Sequence, residues 1–202
     1  MTTASPPARP ADTDSDHALV IERTFDAPRD LVWSVFTRPE HLVRWWGPRG
    51  FVTRVEELDL RPGGRSRYVM VAPDGKEYPA EGVFREVVAP ERIVSTGDFG
   101  DDFDPGDLDL PQGMVVTYLF EELDGGARTH LTLRTTHATA EDKRKHEEMG
   151  FVAGWNSSFE CLDDHLTAIE ATRDASREIV VSRHFDAPRE RVWDVWTDLE
   201  HV

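Results

Sequence analysis

Residues 114–136 run MVVTYLFEELDGGARTHLTLRTT. In an extended chain successive side chains point to opposite faces. Met114, Val116, Tyr118 and Phe120 therefore share one face. On the following segment Leu131 and Leu133 take the covered face, while His130, Thr132 and Arg134 take the other. Between the two segments, Asp124-Gly125-Gly126 is turn chemistry. The stretch predicts an antiparallel hairpin with one covered face.

Outward from it, toward the N-terminus, the same pattern repeats. Pro62-Gly63-Gly64, Pro73-Asp74-Gly75 and Ala89-Pro90-Glu91 punctuate the chain at short intervals. Between them lie strands at about Tyr68–Val71, Gly82–Val88 and Ile93–Thr96. A further strand begins at Leu19-Val20-Ile21 and ends near Phe25. Six strands in meander order predict one antiparallel sheet with a covered face. Asp26-Ala27-Pro28 then opens a short helix with Val32, Val35 and Phe36 at helical spacing, Asp26 serving as cap. A second short helix follows Pro39-Glu40, carries Leu42, Trp45 and Trp46, and stops at Gly47-Pro48.

On the C-terminal side, the cover is expected to be one long helix over about residues 140–171. Thr139 is its cap, with Asp142 at the third helical position. Met149, Val152, Phe159, Leu162, Leu166 and Ile169 trace an apolar stripe, with Trp155 beside it. Gly150 and Gly154 fall inside this helix, where each costs about 1 kcal/mol relative to Ala. Two such costs point to close backbone approach, to the sheet or to a ligand.

Particular sequence words now fit together. Phe25-Asp26-Ala27-Pro28-Arg29 is followed by Val32-Trp33 and by Trp45-Trp46-Gly47-Pro48. Later come Glu86-Val87-Val88-Ala89-Pro90-Glu91-Arg92-Ile93 and Gly154-Trp155. In this order, over residues 18–172, they resemble the family named after the activator of the ninety-kilodalton heat-shock protein's ATPase, in the START-like (SRPBCC, helix-grip) superfamily. The resemblance implies an α+β helix-grip fold: a curved antiparallel sheet wrapped around a long C-terminal helix, with two short helices after the first strand. It also implies an apolar cavity between sheet and helix that takes a small apolar or lipid-like molecule. Trp46, Tyr68, Met70, Phe84, Val116, Tyr118, Leu133, Gly150 and Trp155 are its candidate lining. Chaperone activation in the eukaryotic activator needs a separate N-terminal domain, which nothing here resembles, so a chaperone-associated or other protein-interaction module stands as an alternative behind small-molecule binding.

Catalytic motifs are absent: there is no nucleophile elbow, phosphate-cradling glycine loop or zincin helix. No catalytic residue is assigned, and no cofactor or metal is expected. A cyclase- or dehydratase-type enzyme in the same cavity is the rival reading, with Tyr68, Tyr118 and Glu81 as the polar groups it would need. His130, His137 and His146 are expected to be exposed and titrating. Arg65 and Arg67 are expected to face solvent and pair with carboxylates. Six aspartates between residues 98 and 109 invite calcium. Their spacing departs from an ordered calcium loop, so a solvated loop near one end of the sheet is expected.

Composition narrows the partners. A formal net charge of −16 repels a phosphate backbone and an anionic bilayer. The chain has one cysteine, Cys161, which fits a reducing, cytoplasmic setting. Neither a signal peptide nor a run of about 18 apolar residues is visible, so no membrane insertion is expected. Residues 1–17 carry three prolines and three aspartates without apolar periodicity, the composition of a disordered tail.

The C-terminal end holds a repeat. Residues 19–42 read LVIERTFDAPRDLVWSVFTRPEHL and residues 179–202 read IVVSRHFDAPRERVWDVWTDLEHV, identical at 13 of 24 positions. Chance would give roughly one or two. After a linker at 173–178, the chain is expected to begin a second copy of the domain and to stop inside its second helix, as a shortened tandem protein. Such a piece is either disordered or docked, including by self-association through residues 179–202.

Overall fold

The first strand and the two short helices follow directly from the words Leu19-Val20-Ile21 and Asp26-Ala27-Pro28. In a computed structural model describing residues 17–99, 111, 113–177, 184 and 186–197, β1 spans Ala18–Phe25, α1 Arg29–Thr37 and α2 Pro39–Trp45. α1 turns its helical stripe inward, and Val32, Val35 and Phe36 are buried. Asp26 does not cap it. The cap residue is Pro28, with no side-chain hydrogen bond, and the carbonyl of Pro28 receives the N–H groups of Leu31 and Val32 at 2.9 and 3.0 Å. α2 ends as expected before Gly47, whose φ of 106° only glycine adopts readily.

The sheet has seven strands rather than six. After β2 (Val52–Leu58) come β3 (Arg65–Val71), β4 (Glu77–Val88), β5 (Arg92–Phe99), β6 (Met114–Leu123) and β7 (Arg128–Thr136). All neighbours are antiparallel, in the order β1-β7-β6-β5-β4-β3-β2. The meander β2 to β7 is thus joined at its far side by the N-terminal strand. β2 escaped the sequence reading because VTRVEEL lacks clean apolar alternation. It is an edge strand, and edges are protected by charge. Arg54 pairs with Glu77 of β4 at 2.9 Å, and Arg67 of β3 with Glu56 at 2.9 Å. The hairpin of β6 and β7 is as expected, with Tyr118 opposite Leu133 and Val116 opposite Thr135.

The cover is two helices. α3 (Ala140–Glu148) and α4 (Phe151–Arg177) are separated at Met149-Gly150, where Gly150 has φ +89°. Gly150 therefore ends a helix instead of interrupting one, its N–H bonding back to the carbonyl of Glu147 at 3.0 Å. Thr139 caps α3 as expected, accepting from the N–H of Asp142 at 3.0 Å. The apolar stripe shortens accordingly: Phe159, Leu162 and Leu166 are buried, while Met149 and Val152 are exposed. Burying each of the three contributes about 1.5–3 kcal/mol. Phe159 meets Phe25 edge-on at 5.8 Å, and Asp163 pairs with Arg23 of β1.

The chain divides into two compact units, Met1–Ala168 and Ile169–Val202. The segment expected as a linker at 173–178 is helical as far as Arg177. In the second unit α5 spans Arg189–Thr197. Residues 1–16, the acidic loop at 100–110 and most of 178–185 lie outside the described residues. No helix among the described residues is long and apolar enough to cross a membrane.

Candidate functional site

Strand alternation places a row of side chains on the concave face of the sheet. Phe84 of β4 pairs with Ser95 of β5, Ser95 with Val116 of β6, and Val116 with Thr135 of β7. Tyr68 of β3 and Tyr118 of β6 continue the same face. Opposite them lie Gly154 and Ser158, four residues apart on α4 beside Phe151 and Trp155, with Gly150 just before the helix begins. Side chains do not fill the space between. A cavity of about 320 Å³ remains, bounded by these residues and by Phe36, Trp46, Pro48, Met70 and Met114.

Its aromatic wall is ordered. Trp46 stacks on Tyr68 with centroids 5.1 Å apart and meets Trp155 edge-on at 5.2 Å. Tyr118 and Trp155 lie edge-on at 6.1 Å. Trp45, the neighbouring residue, is turned into the core instead, its indole N–H donating to the carbonyl of Val35 at 2.9 Å. Adjacent tryptophans thus divide between packing and cavity. The missing Cβ of Gly154 keeps the helix backbone open to the space, where the nearest atom to an added methyl is Cγ of Pro48 at 4.0 Å.

Of the nine residues expected to line the cavity, Trp46, Tyr68, Met70, Phe84, Val116, Tyr118, Gly150 and Trp155 do so. Leu133 does not. It shares their face but is wholly enclosed in the core. Phe151, Ser158, Met114 and Thr135 were not expected, although Thr135 follows Leu131 and Leu133 at a spacing of two and Phe151 precedes Trp155 by four.

The polar groups are few. Burial pushes the Tyr68 phenol up to about 12 despite an opposing hydrogen bond to Ser66. Burial, with Tyr68 nearby, raises the Tyr118 phenol well above its ordinary value. Both stay protonated at neutral pH and serve as hydrogen-bonding groups, not as bases. Glu81 and Asp98 reach the wall. Glu81 pairs with Arg65 at 3.5 Å, and Asp98 accepts from the N–H of Gly113 at 3.2 Å. Arg65 and Arg67 pair with carboxylates, as expected.

The histidines differ from expectation. His137 is buried, and its Nε2 lies 2.9 Å from Nδ1 of His146. Nδ1 of His137 lies 3.0 Å from the carbonyl oxygen of His17. His146 borders the cavity, its ring edge-on to Phe151 at 4.5 Å. Burial, then the adjacent His137, lowers the His146 imidazole to about 4, and burial lowers His137 as well. His130 remains apart, 3.7 Å from Glu22 of β1. Among the described residues no three His, Cys, Asp or Glu side chains converge as a metal site would require.

A seven-stranded sheet curved against a C-terminal helix, with an apolar cavity between them, defines a helix-grip domain of the START-like class. Residues 26–167 match the family described as Activator of Hsp90 ATPase homolog 1-like protein, and the chain belongs to that family. Among solved structures, protein Ms6760 from Mycobacterium smegmatis is similar at 33% identity and TM-score 0.67, over 76% of this chain and 93% of that one. Protein NE0264 from Nitrosomonas europaea is similar at 30% identity and TM-score 0.64, over 78% and 99% of the two chains. A protein from Arthrobacter aurescens reaches TM-score 0.68 at 28% identity, over 76% and 87%. No curated protein matches.

Proposed function

We propose that this domain binds a small apolar molecule between the sheet and α4. The observation that carries the reading is the cavity itself. A core of this size ordinarily packs to near-crystalline density, with few voids larger than a water. Here about 320 Å³ is left open beneath four aromatic side chains, within the range of ligand sites. Trp46, Tyr68, Met70, Phe84, Val116, Tyr118, Gly150 and Trp155 are the contact residues in this reading. An enzyme of the cyclase or dehydratase type would have to use the two phenols as proton donors, since burial holds both protonated, and would find Glu81 paired with Arg65. The acidic balance and the single cysteine favour action in a reducing, cytoplasmic setting without nucleic acid.

Native mass spectrometry of the freshly purified chain tests this reading. A retained apolar molecule, absent from a Gly154→Leu variant whose side chain fills the space, is the expected result. Empty protein that also gains no mass from any added apolar compound argues against it.

A further inference from the structure

His137, just after β7, and His146, on α3, have no role in a purely apolar pocket. Their hydrogen bonds fix their tautomers. The carbonyl of His17 can only accept, so Nδ1 of His137 carries the proton. Nε2 of a neutral His137 is then an acceptor, and Nδ1 of His146 must donate to it across 2.9 Å. This leaves a lone pair on Nε2 of His146, a side chain that borders the cavity and has no other polar contact among the described residues. Both rings are disposed to stay neutral, being lowered by burial.

A second polar group is close in sequence. Thr135 precedes His137 by two and belongs to the cavity lining, but its hydroxyl is enclosed in the wall and has no hydrogen-bond partner among the described residues. A buried hydroxyl left unpaired costs about 1–3 kcal/mol. A fixed acceptor on a bordering side chain, with an unpaired hydroxyl enclosed in the wall near it in sequence, thus marks one part of a mostly apolar lining. The charged groups bordering the cavity, Glu81 and Asp98, are both acidic.

We infer that the ligand is a neutral apolar molecule bearing a hydroxyl group, a phenol or alcohol rather than a carboxylate, whose O–H donates to Nε2 of His146. This rests on the cavity being a binding site. A carboxylate would bring a charge with no donor cation beside it and two acids in the same wall, and it has no proton to give His146.

Calorimetric titration of the full chain with 2-naphthol, 2-methylnaphthalene and 2-naphthoate at pH 7 separates the claims. These share one ring system and differ in the polar group. The hydroxyl compound is expected to bind roughly tenfold more tightly than the methyl compound, the scale of one net hydrogen bond, and the carboxylate more weakly than both. In His146→Leu the advantage of 2-naphthol should vanish while 2-methylnaphthalene binds as before. Equal binding of the hydroxyl and methyl compounds, an advantage that persists in His146→Leu, or preference for the carboxylate would overturn the inference and leave the cavity reading standing. Binding of none of the three would remove both.

Discussion

Thr135 and His146 carry the sharpest expectations at the scale of single residues. Thr135→Val keeps the side chain's shape and removes the unpaired hydroxyl. Replacing an unsatisfied buried polar group by an apolar isostere is expected to stabilise the ligand-free protein by about 1 kcal/mol, read as a rise in denaturation midpoint. A fall would mean that the hydroxyl is satisfied within the fold. His146 gives a pH dependence. Its imidazole titrates near 4 when folded, against an ordinary value of 6.5. The unfolded chain therefore takes up the proton first as pH falls, so this contribution is complete above 6.5 and lost progressively down to about 4. The melting temperature of the wild type should drop more steeply between pH 7 and 5 than that of His146→Leu. Parallel profiles would show that the ring is not shielded. None of this was legible in the sequence. The partner that fixes the relay is the backbone carbonyl of His17, far away in the chain and without a side-chain signature.

Elements were legible where one physical signal dominates. β6 and β7 alternate cleanly because one face is core; the alternation put Val116 and Tyr118 on the covered face, and the family resemblance put a cavity against it. The same logic misplaced Leu133, since alternation gives the face but not whether a neighbour covers it. β2 was missed because an edge strand is written in charges. The expected single helix was two, because a glycine's cost reads alike whether it permits close approach or ends a helix. Gly150 and Gly154 separate those cases. Gly150 has φ +89°, so Gly150→Ala is expected to destabilise by about 1 kcal/mol. Gly154 is helical with room for a methyl, so Gly154→Ala should gain up to about 1 kcal/mol. Chemical denaturation of both variants checks this, and loss of stability in Gly154→Ala would mean that the backbone there must approach something closely.

For the whole molecule, the repeat poses the question of extent. α5 spans Arg189–Thr197 and α1 spans Arg29–Thr37, equivalent positions of the two similar stretches of sequence. Each follows a proline whose carbonyl accepts the same two N–H groups, from Leu31 and Val32 in one case and from Arg191 and Val192 in the other. We read residues 179–202 as sequence of a second copy. Its helix forms, but Trp193 is 67% exposed where Trp33 is half-buried, and Val192 is half-buried where Val32 is enclosed. A helix this short draws little stability from itself. Deleting residues 178–202 is therefore expected to leave the melting temperature of the rest nearly unchanged and the mass in solution monomeric. A loss of several degrees, or a dimer that becomes a monomer on deletion, would show that the segment belongs to the fold or to an assembly of copies.

The central claim is that the space beneath Trp46, Tyr68, Tyr118 and Trp155 is a binding site and not a packing defect. Thermal denaturation of the wild type and of Gly154→Leu against a panel of neutral aromatic and long-chain alcohols tests it most directly, because a ligand of the folded state alone raises the midpoint by mass action. The account predicts concentration-dependent rises in the wild type and none in the filled variant. An unchanged midpoint in the wild type across the panel, or equal rises in both proteins, would contradict it.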